Sequence, residues 1–195
     1  MEIAEGLGLL PGTDDVLPVR VRWLALVGTT AAVAIDGDRV YVASDALTAF
    51  RLLDGSVAWE AEHPEGYALE DSGDVVLGLD DPQVVRAFAP WEYDLRVERA
   101  TGRRIAFSQS VGGDLPAELV AFPAPLPTQF RIETQADLRE TIAFWPDGQV
   151  AWCLVVAYPG IDPLAPVDAD GAIVCATTSG HLVVLDLLDR HHGHS

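Results

Sequence analysis

A five-residue pattern occurs twice in this chain. Gly55-Ser56-Val57-Ala58-Trp59 returns as Gly148-Gln149-Val150-Ala151-Trp152. A degenerate copy lies between them, Gly102-Arg103-Arg104-Ile105-Ala106-Phe107, and Arg20-Val21-Arg22-Trp23 is a further copy without its glycine. The aromatic residues are spaced 59 − 23 = 36, 107 − 59 = 48 and 152 − 107 = 45. Self-similarity at a period of this size marks a propeller or a solenoid, in which each repeat is one supersecondary unit that buries its apolar face against the next.

The residues around the motif read as strands and turns. Val33-Ala34-Ile35-Asp36, a turn at Gly37-Asp38 and Arg39-Val40-Tyr41-Val42-Ala43 form a hairpin, with β-branched and aromatic residues on either side of a glycine turn. Leu47 to Leu52 follows Ser44-Asp45-Ala46, and Ser56 to Trp59 follows Leu53-Asp54-Gly55. Four antiparallel strands joined by short turns make one propeller blade. In the second unit the expected strands are Tyr67 to Glu70, Asp74 to Leu79 and the residues before Ala100-Thr101-Gly102. The third strand is then either Val84 to Phe88 or Tyr93 to Arg99. On the second choice, Asp80 to Glu92 is an insertion.

The third unit is the most degenerate. Glu118 to Phe122, Gln129 to Glu133, Glu140 to Phe144 and Gln149 to Val155 are its expected strands, and Pro123, Pro125 and Pro127 belong to a loop because proline cannot donate to a sheet ladder. The fourth unit, Val167 to Asp186, stops after three strands. Val19 to Trp23 at the other end of the chain is the natural donor of the missing one, since closure removes an exposed edge. The expectation is therefore an all-β chain: a small β-propeller of four blades of four antiparallel strands, with the N-terminal strand closing the last blade. Residues 1–18 would be an N-terminal extension, 19–188 a single propeller domain and 189–195 a His-rich tail. A monomer is the expected state; the rival is an open half-ring that dimerises.

The strand pattern apolar-Asp-Gly-x-Val-Tyr-Val followed by a strand ending near Gly-x-Val-x-Trp, clearest over Val33 to Trp59, resembles the repeat of the pyrroloquinoline-quinone-like (PQQ-like) β-propeller family. Ala100-Thr101-Gly102 is similar to that family's frequent turn, and Asp168 to Asp186 to its first three strands. The resemblance implies an architecture. The cofactor and metal ligands of the quinone-dependent dehydrogenases have no counterpart in the sequence, so no cofactor is expected.

Charge restricts the partners. Thirty acidic residues against 12 basic ones give a net charge of −18. A chain this acidic repels phosphate, which argues against nucleic acid and against an anionic membrane surface. A basic protein or a small ligand is the expected partner. The first residues lack the basic and apolar regions of a signal peptide, and the longest apolar stretch, Trp23 to Ile35, is too short to span a bilayer. A cytoplasmic protein is expected, and Cys153 and Cys175 within apolar runs behave there as small hydrophobes.

Candidate site residues follow from the turns. Asp45, Asp80, Asp81, Asp137 and His181 are expected in turns between second and third strands, with His63, Glu65 and Tyr67 in a link between blades. Asp80 to Asp94 departs most from the repeat and carries Arg86, Phe88, Trp91, Glu92 and Tyr93. Insertions on a repeat scaffold mark binding faces, and aromatics beside charges suit capture of a ligand or protein. The ligand-binding set is thus His63, Tyr67, Asp81, Arg86, Phe88, Trp91, Tyr93 and His181, with no metal ligand assigned. Trp23, Trp59, Trp145 and Trp152 are expected to pack. No phosphate loop, nucleophile elbow or Cys-x-x-Cys is present. The main expectation is non-enzymatic binding that neutralises a basic partner. The alternative is a small biosynthetic cyclase, lyase or hydrolase using His63, Tyr67, Asp81 and Tyr93.

Overall fold

The structure, a computed structural model, describes residues 1–13, 16–61, 75–109, 130–135, 139–156, 167–169 and 171–188. Every regular element among them is a strand, and the strands form four antiparallel sheets. These are the blades of a small four-bladed β-propeller. The chain divides into two compact units: Ala25–Pro123 with Ser179–His181, and Met1–Leu24 with Ala124–Thr178 and Leu182–Ser195.

The first blade is the simplest. The first seven strands of the chain are β1 (Glu2–Ala4), β2 (Leu7–Pro11), β3 (Val19–Leu26), β4 (Ala32–Asp36), β5 (Arg39–Ala43), β6 (Leu47–Arg51) and β7 (Val57–Glu60), and the last four of them form this blade. Strands β4 to β7 pair in chain order, each hairpin short enough to fix its register, as in Ala34↔Tyr41 and Tyr41↔Ala49. Strand β5 is buried on both faces from Val40 to Ala43. That is why its sequence is continuously apolar rather than alternating.

The second blade runs β8 (Val76–Gly78), β9 (Val84–Ala89), β10 (Tyr93–Glu98) and β11 (Arg104–Gln109), again in chain order. This settles the open choice and corrects the expectation of an insertion. Val84–Ala89 is the second strand, Tyr93–Glu98 the third, and the two pair without interruption from Val84↔Glu98 to Ala89↔Tyr93. The apparent surplus arose from taking Asp74 to Leu79 as a second strand, when Val76–Gly78 is the first. The expected strand at Tyr67 to Glu70 lies outside the described residues. Tyr41, Leu47, Trp59, Val85, Tyr93 and Leu95 fill one shared core between these two blades.

The fourth blade is as expected: β15 (Val167–Ala169), β16 (Ala172–Ala176), β17 (His181–Leu187) and then β3, donated from the N-terminal side. Arg20 and Arg22 of β3 both bind the Asp186 carboxylate of β17, Arg20 at 2.9 Å, and Leu188 N donates to Pro18 O at 2.8 Å.

The third blade differs from expectation. Its order is β1-β2-β14-β13-β12, where β12 is Arg131–Gln135, β13 Glu140–Phe144 and β14 Val150–Val156. Among the described residues the strand at Val150 is third, and it is not last; the expected strand at Glu118 to Phe122 lies outside the described residues. The last place is taken by Leu7–Pro11, from the segment read as an extension, with Glu2–Ala4 added beyond it. Leu7 and Leu9 enter the core at 1% and 0% exposure, and Leu154 pairs with Leu9. Thus Trp59 lies on a fourth strand and Trp152 on a third. Both follow a glycine of positive φ, Gly55 at 71° and Gly148 at 86°. The shared pattern encodes a tight turn followed by a half-buried strand, and that local unit fits either place in a blade. Trp152, Trp145, Phe130, Leu154, Ile173 and Val183 lie in the common core of the third and fourth blades.

Candidate functional site

The first two blades present their turns at two ends, which differ in chemistry. At one end lie the β4–β5, β8–β9 and β10–β11 turns, and Arg99 gathers all three. Its Nη2 donates to the carbonyls of Leu79 at 2.6 Å and Asp81 at 2.7 Å, and Nη1 pairs with the Asp36 carboxylate. Its own carbonyl accepts the Trp59 indole N–H at 2.8 Å and the Arg39 guanidinium. A planar guanidinium suits this task because its donors point in fixed, diverging directions.

Asp81 belongs to this end. The structure thereby corrects the placement of Asp80 and Asp81 in a turn between second and third strands: they lie in the turn from the first strand to the second. The Asp81 carboxylate accepts its neighbour's backbone N–H, Gln83 N, at 2.7 Å. That is an Asx turn, a local structural role.

The opposite end holds the β5–β6 turn at Ser44–Ala46, the β9–β10 turn at Pro90–Glu92, the link at Gly28–Ala31 and the turn Ser179–His181. Val27 N donates to Gly180 O at 2.9 Å, and a Cβ on Gly28 would stand 2.8 Å from an Asp45 carboxylate oxygen. Asp45 and His181 therefore share this end, as the sequence implied. Ser179 Oγ lies 3.0 Å from His181 Nδ1, and burial pushes the imidazole below its ordinary pKa.

Trp91 is the outstanding side chain here. It sits at the tip of the β9–β10 hairpin, 75% exposed, with φ at 67°. A bulky residue in the left-handed region is a genuine outlier. Its neighbours in the expected set go elsewhere. Tyr93 is fully buried and stacks on Phe107 at 6.5 Å. Phe88 is buried under the Arg86 guanidinium, 5.4 Å from the ring centroid. Arg86 grips Asp94 through Nε at 2.7 Å and Nη2 at 2.9 Å, and Arg96 reaches the same carboxylate at 3.0 Å. Burial alone would raise the Asp94 carboxyl, but the hydrogen bonds from Arg86 and Arg96 outweigh it and hold it below the usual carboxylate range. His63, Tyr67 and Asp137 lie outside the described residues.

The structure thus separates the expected set. Asp81 and Trp91 stand at opposite ends of β9, roughly 20 Å apart for six residues of strand. Arg86 and Phe88 belong to the sheet face, Tyr93 to the core, and Trp91 with His181 to the open end. Sequence reasoning missed Arg99 and Asp94, which organise the second blade. The alternation Glu92-x-Asp94-x-Arg96-x-Glu98, facing Arg86 across a hairpin, carried a signal for the second of these. Cys175 is buried and its thiol pushed up to about 12; Cys153 is pushed up to about 11 by burial and by Glu140. Neither thiol forms the thiolate that nucleophilic chemistry needs at neutral pH. Among the described residues no three His, Cys, Asp or Glu side chains gather into a metal-holding group.

No family model and no curated protein matches the chain. Solved structures do. BamB from Moraxella catarrhalis is similar at 13% identity, with 85% of this chain and 46% of that one covered and a TM-score of 0.31. The computationally designed Ika4 protein is similar at 15% identity, covering 82% and 92%, with a TM-score of 0.33. The WD40 repeats of RRP9 are similar at 11% identity, covering 89% and 55%, with a TM-score of 0.37. This chain spans about half the length of BamB and of the RRP9 repeats.

Proposed function

We propose that this protein is a non-enzymatic binding propeller of PQQ-like repeats, cytoplasmic, that takes a basic protein at the Trp91 end of its first two blades. The exposure of Trp91 carries the reading. An indole held out in solvent on a left-handed backbone is unfavourable in the free protein, and such outliers gather at binding sites. Glu92 beside it and Asp45 at the same end are both exposed. An arginine or lysine of a partner would lie on the indole face, where the attraction amounts to about 0.5–2 kcal/mol. The net charge of −18 would steer a basic partner toward the protein and suppress acidic ones.

The enzymatic alternative finds less support. Of its four residues, Asp81 and Tyr93 lie at opposite ends of β9 and cannot converge on one substrate.

Titration with an oligo-arginine peptide tests the proposal. Trp91→Ala keeps every charge and should weaken binding about tenfold, the equivalent of about 1.4 kcal/mol. Glu92→Gln should weaken it less, and ~0.3 M salt should weaken binding to every variant. Equal affinity in Trp91→Ala would leave only diffuse acidity and remove the site.

A further inference from the structure

Wherever a described turn of the first two blades needs a left-handed residue, glycine supplies it, at Gly28, Gly37, Gly55 and Gly102, with one exception at the tip of the β9–β10 hairpin. The two strands pair up to Ala89 and Tyr93, which leaves Pro90, Trp91 and Glu92 as the loop. Glu92 N donates to Ala89 O at 3.1 Å, so Ala89–Glu92 is a β-turn. Proline at its first central position and a φ of 67° at the second make it type II, where glycine or asparagine is the usual second residue. Tryptophan stands there instead.

A three-residue hairpin loop has a second solution. It is a type I turn followed by a left-handed third residue, which here would be Glu92. Pro90 does not choose between the two, because its fixed φ suits the first central position of both. Both turns keep the bond from Glu92 N to Ala89 O, and they interchange by a flip of the peptide between Pro90 and Trp91 with a rotation of the Glu92 backbone. In one form Trp91 is the left-handed residue; in the other it is Glu92. Neither is glycine, so each form bears one strained residue of the same kind, and the two lie close in free energy. The stems on either side are fixed, with Ala89 and Tyr93 both buried and paired. Motion is confined to the tip, and it carries the exposed indole with it.

We propose that this tip is a two-state switch that re-aims the Trp91 indole, and that a basic partner holds the form seen here. Selection by the partner rests on the function proposed above; the switch itself does not. A partner that binds one of two forms has its apparent affinity reduced by the fraction of that form in the free protein. The backbone preference of residue 92 therefore sets the affinity of the site separately from the charge that residue carries.

NMR on the full chain reads the turn directly. The Pro90 Hα lies close to the Trp91 amide proton in the type II turn and far from it in type I, so the nuclear Overhauser effect between them follows the population. In the free protein it should be of intermediate strength and should rise on saturation with the oligo-arginine peptide. Glu92→Gly supplies a glycine where the second form needs one and should weaken the effect. Glu92→Gln removes the same charge without that freedom and should leave the effect as it is. Affinity for the oligo-arginine peptide should fall about threefold further in Glu92→Gly than in Glu92→Gln. An effect at full strength in the free protein that Glu92→Gly leaves unchanged means one fixed turn and overturns the proposal. Equal affinity in the two variants, with the effect weakened in Glu92→Gly, overturns selection by the partner. If the peptide binds none of the three proteins, the function proposed above falls and selection with it, while the response of the free protein to Glu92→Gly still decides the switch.

Discussion

The two ends of the first two blades are made from the same kind of short hairpin turn, yet their polar groups are arranged oppositely. At the Arg99 end, two carbonyls from one turn and a carboxylate from another converge on a guanidinium of a third that is 14% exposed. At the Trp91 end, the turn holds a large apolar side chain outward on a backbone conformation that suits it poorly. A site where several polar groups share one largely buried guanidinium contributes mainly to stability. A site that keeps a strained, exposed aromatic does so against stability, and its use lies in binding. If that contrast is right, substitutions at the first end should lower the melting temperature and leave binding intact in the folded fraction. Substitutions at the second should do the reverse.

The largest expected effect is Arg99→Ala. The carbonyls of Leu79 and Asp81 would lose their donor, and Asp36 its counter-charge. These partners are exposed or only partly buried, so each lost bond to the charged donor costs about 1 kcal/mol, and about 3 kcal/mol in sum is expected. In a chain of 195 residues this lowers the thermal midpoint by roughly 10 °C. A drop under about 2 °C in calorimetry would show that the turns hold together without Arg99 and would dissolve the contrast.

Gly102→Ala comes next and probes the same end from the side of packing. Gly102 has φ at 72°, and a Cβ there would stand 2.5 Å from Trp59 Cε3. Strain and displacement of the indole together cost about 2–3 kcal/mol. The indole would also be pushed from the Arg99 carbonyl, so a red shift and broadening of tryptophan emission should accompany the loss. Unchanged emission would mean that the backbone, not Trp59, absorbs the change.

These two residues also show how far the sequence was legible. Ala100-Thr101-Gly102 was readable as a turn, because glycine in that setting has a local meaning. The role of Arg99 was not, since its partners Asp36, Leu79 and Asp81 are 15 or more positions away and come together only once two blades pack. The same limit explains the third blade. Leu7-Gly8-Leu9-Leu10-Pro11 has the alternation of a strand with one buried face, yet nothing local says that it pairs with residues 152–156. The donated strand of the fourth blade was legible because the blade visibly lacked a member. The third blade seemed complete, and the strand that continues it beyond Val150–Val156 was concealed by a repeat motif that fits more than one place in a blade. At the candidate site, Asp45 was legible as a turn residue and Trp91 as part of a segment on a binding face. The burial of Tyr93 and Phe88 was not, because an aromatic in a hairpin reads the same whether its face meets solvent or another blade.

The pH dependence sharpens the comparison between structure-bearing charges and free ones. Asp94 has its folded pKa below its unfolded value, so it adds stability that is present above the unfolded value and is lost as pH falls through the folded one. Asp186, paired with Arg20 and Arg22, behaves in the same sense. Acid should therefore unfold the protein in a window below about pH 4, and Asp94→Asn should flatten that limb while lowering stability at neutral pH. An unchanged acid limb in Asp94→Asn would mean that other carboxylates set it.

The smallest effect is the most discriminating. Trp91→Gly removes a side chain that touches no core and relieves a left-handed backbone that a glycine adopts freely. The melting temperature should hold or rise, by up to about 1 kcal/mol of stability. The same variant should lose the affinity for the oligo-arginine probe that Trp91→Ala loses. A substitution that stabilises the fold and weakens binding is the mark of a residue kept for recognition. Should Trp91→Gly instead destabilise the protein by 2 kcal/mol or about that, the indole would be a packing residue, and the two ends would differ only in which side chain holds them together.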